Sequence, residues 1–176
     1  MSDVEVLNGR RITLRAPTLD DAEPLFERMA SDPEVSRCMS WRPHAGVGET
    51  RRVITEIFNV GGETTWVIEL RDGDGPVGVC GWRRPQHHII DFGYYLARRW
   101  WRQGLMSEAV QLLLDKAQRD PTVYRMTAHC HVDNIASARL LERSGLTLEG
   151  RLARYAVLPN ISDEPQDCLL FGKALR

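Results

Sequence analysis

The chain has 176 residues, of which 43% are hydrophobic and 27% are charged, as in an ordinary soluble globular protein. Lysine and arginine total 23 against 24 for aspartate and glutamate, so the formal net charge is -1. This balance argues against direct nucleic-acid or membrane-surface binding, which would need a clustered basic excess. No apolar run approaches membrane-spanning length and the N-terminus shows no signal-peptide core, so we expect one cytoplasmic domain over residues 1–176.

Hydrophobic periodicity and turn residues predict strands that come first and then alternate with helices, which indicates an α/β sandwich with a mixed sheet. In chain order, the predicted elements are a strand over residues 10–16, a helix that begins after Thr18 and ends at 31–33, an irregular stretch over 35–48, a helix over 49–58, strands over 64–70, 76–82 and 88–96, a helix over 104–119, a strand over 123–132, a short helix from Asn134 to Gly145, and strands over 146–158 and 166–174 joined by a loop over 159–165.

Cysteine and histidine usage gives no sign of a metal site. The four cysteines are spread along the chain without a C-x-x-C pair, at Cys38, Cys80, Cys130 and Cys168. This pattern is typical of reduced, partly buried thiols. In His129-Cys130-His131 only the two histidines share a strand face, and no second cluster follows at a suitable spacing. We therefore expect no metal, and a polar strand face is the alternative for these histidines.

The most informative stretch is the passage from the strand over 88–96 to the helix over 104–119. A helix start offers unpaired backbone N–H groups and about half a positive charge, which makes this connection a candidate anion site. Gly104 lacks the Cβ that would block close approach of a phosphate oxygen. On its own, one glycine before a helix is more often an ordinary loop.

Two motifs together carry a resemblance to a known family. Residues 101–109 read W-R-Q-G-L-M-S-E-A, and residues 134–146 read N-I-A-S-A-R-L-L-E-R-S-G-L. They resemble the W-G-x-G-x-A-T-E-A loop and the N-x-x-S-x-R-L-L-E-x-x-G-F element of the RimJ/RimL (ribosomal-protein-acetyltransferase-like) branch of the GNAT superfamily of acyl-CoA-dependent N-acyltransferases. Order and spacing also match, and the resemblance runs from about Gly9 to the C-terminus.

This resemblance implies both a fold and an activity. The fold is an α/β (α+β) architecture with a mixed, mostly antiparallel sheet of about seven strands, four flanking helices and a splayed cofactor cleft. The activity is transfer of an acyl group, expected to be acetyl from acetyl-CoA, directly to a primary amine in a ternary complex. The acceptor stays open among a protein N-terminus, a polyamine, an amino acid and an aminated antibiotic or sugar, as does homodimer formation. The alternative function is a CoA-binding sensor or interaction module without turnover.

The resemblance also assigns the cofactor contacts. Backbone groups of Tyr94, Tyr95 and Leu96 should pair with the pantetheine arm. The pyrophosphate should rest on backbone N–H groups of the loop and helix start, and Asn134 should complete the cofactor site. The loop residues are Arg102, Gln103, Gly104, Leu105, Met106 and Ser107. Arg102 stands where the branch usually has Gly, and Met106 where it usually has Ala or Gly. Both positions should present backbone, so these larger side chains are tolerable there if they point outward.

The catalytic residues are less clearly marked. The family often uses a tyrosine seven positions after the Asn to protonate the leaving thiolate, but that position is Leu141 here. In the RimJ/RimL branch a serine three positions after the Asn can fill the role, and this serine is Ser137. The alternative interpretation is that Ser137 is a hydroxyl on the helix surface that hydrogen-bonds to water or to a backbone carbonyl.

A carboxylate on the strand over 88–96 is the candidate for the acceptor's proton. Asp91 occupies the place where relatives have an acidic residue beside the amine, and its alternative is a solvated carboxylate. Glu149 and Asp167 are reserves, and water can share this step. Trp41 and His44 lie in a segment that walls the acceptor cleft in relatives, which suggests contact with the acceptor; tryptophans are otherwise most often core residues.

Overall fold

The structure is a computed structural model that describes residues 4–73 and 75–176. The strands are β1 (Leu7–Asn8), β2 (Ile12–Arg15), β3 (Thr64–Leu70), β4 (Pro76–Gln86), β5 (Ile89–Leu96), β6 (Arg125–His131), β7 (Thr147–Leu158) and β8 (Ser162–Ala174). The α-helices are α1 (Ala22–Leu25), α2 (Pro33–Ser36), α3 (Val47–Glu56), α4 (Leu105–Arg119) and α5 (Ile135–Arg143). Short 3-10 turns lie at Leu19–Asp21 and Arg98–Trp100, and a π-helical turn at Phe26–Ala30 continues α1.

The strands form one sheet in the order β1-β2-β3-β4-β5-β6-β8-β7. Every neighbouring pair is antiparallel except β5 and β6, which run parallel. The prediction of a mixed, mostly antiparallel sheet is confirmed. The described residues form eight strands and five α-helices, so the expected counts of about seven and four were slightly low.

Apolar side chains cover both faces of the sheet. On one face, α4 buries Ala109 and Leu113, and α5 buries Leu141, against strand residues that include Ile90 and Phe92. On the other face, residues of α1, α2 and α3 pack with a smaller set of strand residues. Burying one large apolar side chain contributes about 1.5–3 kcal/mol, so these two layers fix the sheet between helices.

Two predicted boundaries were wrong for reasons that involve proline. Pro33 was expected only to end a helix, but it also begins α2, where the Asp32 side chain accepts a hydrogen bond from the Glu34 N–H at 2.9 Å. The last strand was expected from residue 166, but β8 begins at Ser162. Pro165 is tolerated there because β6 pairs with β8 only from Cys168 onward, so one edge of this part of β8 is free.

Candidate active site

The central feature of the site is an opening between the parallel strands β5 and β6. Their pairing holds at Ile89 with Arg125, Ile90 with Met126 and Asp91 with Thr127. Beyond that point, residues 92–96 of β5 and 128–131 of β6 continue without pairing to each other within the described chain. Two strands that separate leave backbone N–H and C=O groups free to bind an extended ligand, so this opening is the splayed cleft that the sequence predicts.

Side-chain alternation divides the opening into two faces, which we call the α5 face and the open face. On β5, Tyr94 shares the α5 face with the buried Ile90 and Phe92, whereas Asp91 and Gly93 point to the open face. Strand β6 alternates in the same way: Cys130 lies on the α5 face, and Thr127, His129 and His131 lie on the open face.

The α5 face carries a hydrogen-bonded pair of hydroxyl groups. The Tyr94 phenol oxygen lies 2.8 Å from the Ser137 Oγ. Ser137 is held in place because its backbone N–H donates to the Asn134 side chain, the N-cap of α5, at 3.2 Å. Leu141, at the position of the family's usual tyrosine, is fully buried in the core. A phenol is therefore present beside the cleft, but it comes from β5.

The groups beside Ser137 are neutral at physiological pH. Burial raises the pKa of Tyr94 well above its ordinary value, although the hydrogen bond to Ser137 works in the opposite direction. Burial also raises the pKa of Cys130 to about 11, again partly offset by Ser137. Cys130 is thus a thiol with little nucleophilic character at neutral pH.

The open face has a different character, because it is partly exposed and charged. Asp91 is 15% exposed, and its Oδ2 accepts from Arg83 Nε at 3.2 Å while its Oδ1 accepts from Thr127 Oγ1 at 3.2 Å. The next residue on this face of β5 is Gly93, where an added Cβ would meet no atom within 4 Å. Gly93 therefore forms an open floor beside a firmly held carboxylate.

An aromatic wall closes one end of the open face. The Trp41 ring lies 5.4 Å from the Tyr95 ring and 5.4 Å from the His44 ring, between centroids. His44 Nδ1 is 2.8 Å from Thr50 Oγ1, and burial lowers the pKa of His44 below its ordinary value. The Trp41 carbonyl accepts from Asn160 Nδ2 at 2.8 Å, which ties this wall to the hairpin of β7 and β8.

The connection from β5 to α4 has the geometry of an anion-binding loop. Arg102 and Gly104 both have left-handed backbones, with φ of 61° and 76°, and no side chain caps the start of α4. Arg11 braces the loop, since its Nη1 donates to the Gln103 carbonyl at 2.8 Å and its Nε pairs with Glu108 at 3.0 Å. The loop therefore presents backbone N–H groups at the positive end of a 15-residue helix.

The side chains of the loop are placed less uniformly than expected. Arg102, Gln103 and Ser107 are exposed, whereas Leu105 and Met106 are buried in the core. The outward orientation that would accommodate a larger side chain is found for Arg102 but not for Met106. Met106 lies three residues before Ala109 and seven before Leu113, so the helical repeat places it on the face of α4 that packs against the sheet.

The sequence of residues 11–147 matches the family described as the Acetyltransferase (GNAT) domain. The chain belongs to this family. It is 32% identical over 157 residues to the uncharacterized N-acetyltransferase p20 of Bacillus licheniformis, covering 86% of this chain and 88% of that protein. It is also 30% identical over 93 residues to the ribosomal-protein-serine acetyltransferase of Escherichia coli (strain K12), covering 52% of each chain.

The fold comparison agrees with the family assignment of this N-acetyltransferase. The structure of RimL, a ribosomal L7/L12 alpha-N-protein acetyltransferase in complex with coenzyme A, superposes with a TM-score of 0.82 at 21% identity. The superposition covers 97% of this chain and 98% of RimL. Together with the serine acetyltransferase relative, it confirms the resemblance to the RimJ/RimL-like branch of the GNAT acetyltransferases.

Both reserve carboxylates of the acetyltransferase are engaged in ion pairs. Arg125 donates to Glu149 at 2.8 Å and lowers the pKa of that carboxyl group. Asp167 accepts from the Arg154 N–H at 2.9 Å and from Arg151 Nε at 2.8 Å, which lowers its pKa. Carboxylates held in this way are weak proton acceptors.

Residues 4–73 and 75–176 contain neither a cluster of metal-binding side chains nor a membrane-spanning helix. There, no three side chains of the His, Cys, Asp and Glu types come together as metal ligands would, and all four cysteines are free thiols. Over the same residues, every helix is too short or too polar to cross a membrane.

Proposed function

We propose that this chain transfers an acetyl group from acetyl-CoA to a primary amine by direct attack in a ternary complex. The observation that carries the proposal is the opening between β5 and β6, which has proton-donating hydroxyl groups on one face and open space on the other. The whole chain, residues 1–176, acts as one domain in this proposal. Its four free cysteines fit a reducing, cytoplasmic setting.

Backbone groups hold the donor. Beyond Asp91, β5 pairs with β4 but not with β6, so its edge toward β6 offers Tyr94, Tyr95 and Leu96 to the pantetheine arm, as another strand would pair there. The exposed loop at residues 102–104 and the first turn of α4 face the pyrophosphate. The relative RimL supports this assignment, since its structure holds coenzyme A.

Ser137 protonates the thiolate that leaves. Its hydroxyl lies on the α5 face of the opening and is oriented from both sides, by the Asn134 cap through the backbone and by the Tyr94 phenol. As the C–S bond breaks, the Ser137 hydroxyl proton moves to sulfur and the Tyr94 phenol proton moves to the serine oxygen; Tyr94 then regains its proton from solvent, so that the buried phenol is neutral again before the next turnover. A phenol paired with a serine thus replaces the single tyrosine that is absent at Leu141.

The acceptor approaches from the open face. Gly93 leaves room for an amine next to Asp91, and the Trp41 and Tyr95 rings offer contact to the atoms behind the amine. The relative from Escherichia coli is a ribosomal-protein-serine acetyltransferase, and RimL is an alpha-N-protein acetyltransferase; these relatives favour the N-terminal amine of a protein as acceptor over a small-molecule amine.

Thiol release from acetyl-CoA tests the proposal. We would measure it with four amines: a peptide with a free N-terminal serine, a peptide with a free N-terminal alanine, spermidine and free serine. We expect turnover with at least one amine and acetylation at its nitrogen by mass spectrometry. Donor binding without thiol release for any of them would favour the CoA-binding module instead.

A serine pair tests the role of Ser137. We expect Ser137→Ala to lower kcat by about 10²-fold with little change in the acetyl-CoA dissociation constant, because the hydroxyl acts mainly in the transition state. Ser144→Ala is the matched control, since its hydroxyl donates to the Leu140 carbonyl at the far end of α5, at 2.9 Å. Equal effects of the two substitutions would show that Ser137 is only structural.

A further inference from the structure

His129 stands at the point where β5 and β6 separate. Thr127 is the last β6 residue that pairs with β5, and His129 is the next residue on the same face of the strand. Asp91 is the β5 partner of Thr127, and the next residue on the same face of β5 is Gly93. His129 and Gly93 therefore occupy matching positions on the two sides of the opening. The His129 imidazole therefore lies across the opening from Gly93, beside the space through which an amine would approach.

The two sides of the reaction need protons moved in opposite directions. The hydroxyl pair of Tyr94 and Ser137 lies on the α5 face, where the leaving sulfur would be protonated. The attacking nitrogen must lose a proton to a second group, and a base on the open face could take it while the hydroxyl pair serves the sulfur. His129 is on the open face and is half-buried.

Asp91 is poorly suited to accept this proton itself. One of its carboxylate oxygens is paired with Arg83 and the other accepts from Thr127, so protonation would break at least one of these contacts. The His129 ring, in contrast, makes an edge-on contact with the Tyr155 ring, with the ring centroids 5.0 Å apart, and this contact helps to fix its plane.

We propose that His129 is the group that accepts the proton of the acceptor amine, and that Asp91 is a positioning residue that acts on it through charge. As the N–C bond forms, one proton leaves the amine nitrogen for the His129 imidazole, and the C–S bond breaks as Ser137 protonates sulfur. His129 then returns its proton to solvent. This inference rests on the proposed acetyltransferase function.

The surroundings of His129 fit this role. Burial lowers the pKa of His129 below its ordinary value, so the ring is neutral and able to accept a proton at neutral pH; the Asp91 charge raises the pKa and Arg83 lowers it. From β7 it is faced by Tyr155, and from β8 by the uncharged Leu170. His131 and Cys168 lie one step further along the same face of β6 and β8.

The pH dependence of kcat/KM tests the inference, using whichever of the four amines turns over fastest. In the parent chain, kcat/KM should decrease as the pH is lowered, because the amine becomes protonated. The decrease should become steeper below the pKa of His129. His129→Gln should lower kcat/KM by about 10²-fold at pH 7 and remove the steeper acidic limb. His88→Gln, an exposed histidine in the turn before β5, should change neither.

The substitution Asp91→Asn distinguishes the proposed role of Asp91 from that of His129. If Asp91 acts through His129, the acidic limb persists in this variant but moves to lower pH, because loss of the carboxylate charge lowers the pKa of His129. If Asp91 is itself the base, the limb disappears in Asp91→Asn and persists in His129→Gln, and the inference is overturned.

A second measurement does not depend on turnover. The imidazole proton resonances of the parent chain, assigned by comparison with His129→Gln, should show His129 titrating below its ordinary value and lower still in Asp91→Asn. An unchanged His129 titration in Asp91→Asn would refute the coupling. Absence of thiol release with all four amines would refute the proposed function itself, whereas an unchanged acidic limb in an active His129→Gln would refute only the role of His129.

Discussion

The two faces of the opening between β5 and β6 differ in almost every physical property. The α5 face is neutral, and its polar groups are bonded to one another: Tyr94 to Ser137, and Ser137 to the Asn134 cap. The open face has charged groups, partial exposure and free space above Gly93. The α5 face suits protonation of the leaving thiolate, a step that is the same for every acceptor. The open face suits recognition of an acceptor that can vary.

The order of the sheet explains how one chain builds both faces. The strands β5 and β6 are parallel and are joined through α4, so their carboxyl ends separate at the same edge of the sheet, next to the start of α4. Helix α5 follows β6 directly and covers one face, whereas helices α1 to α3 pack further toward β3 and β4 on the other. The second face therefore stays uncovered beside Gly93.

The largest expected effect is loss of acetyl-CoA binding, caused by a substitution in the loop at residues 102–104. Gly104→Asp places a carboxylate against the phosphates at a left-handed position, φ 76°, where a side chain is also strained. We expect the rise in Tm that acetyl-CoA causes in the parent chain to disappear. Gly104→Asn is the control, because asparagine tolerates this backbone and carries no charge. If both variants keep the full rise in Tm, the phosphates bind elsewhere.

Filling the open face should separate donor binding from acceptor binding. A valine at position 93 suits a strand and meets no atom at its Cβ, so Gly93→Val should fold. Its methyl groups would occupy the space above the floor, and we expect kcat/KM for the amine to fall by about 10–100-fold. The rise in Tm with acetyl-CoA should be unchanged. A variant with normal activity toward every amine would show that the acceptor enters by another route.

On the α5 face, Tyr94→Phe removes one hydroxyl and little else. We expect kcat to fall by about tenfold, because Ser137 loses the phenol that orients it and resupplies its proton. Loss of the hydrogen bond should also lower the free energy of unfolding by about 1 kcal/mol. Measuring kcat and urea unfolding together separates the two effects. Tyr124→Phe, an exposed tyrosine just before β6, is the matched control, and an equal fall in kcat there would contradict the role of Tyr94.

The sequence predicted the elements that frame the opening but not which side chains meet across it. The helical repeat from Ala109 to Leu113 and the cap at Asn134 are local patterns, so α4 and α5 were found close to their observed bounds. The contact of Tyr94 with Ser137 joins residues 43 positions apart, and only the packing of α5 on β5 creates it. For the open face, the available signal in the sequence was strand alternation, which placed His129 and His131 on the same face of their strand.

The smallest expected effect concerns the second left-handed residue of the loop. Arg102 has φ 61° and an exposed side chain at a position where the family usually has glycine. A non-glycine residue in this conformation costs roughly 1 kcal/mol, and glycine relieves the strain while adding freedom to the unfolded chain. Arg102→Gly should therefore raise the free energy of unfolding by less than about 1 kcal/mol. If the loop binds phosphate through its backbone alone, acetyl-CoA affinity should stay within about twofold at high salt. A loss confined to low salt would show that the guanidinium adds a screened attraction for the pyrophosphate, and a loss at every salt concentration would show that the side chain is a direct ligand.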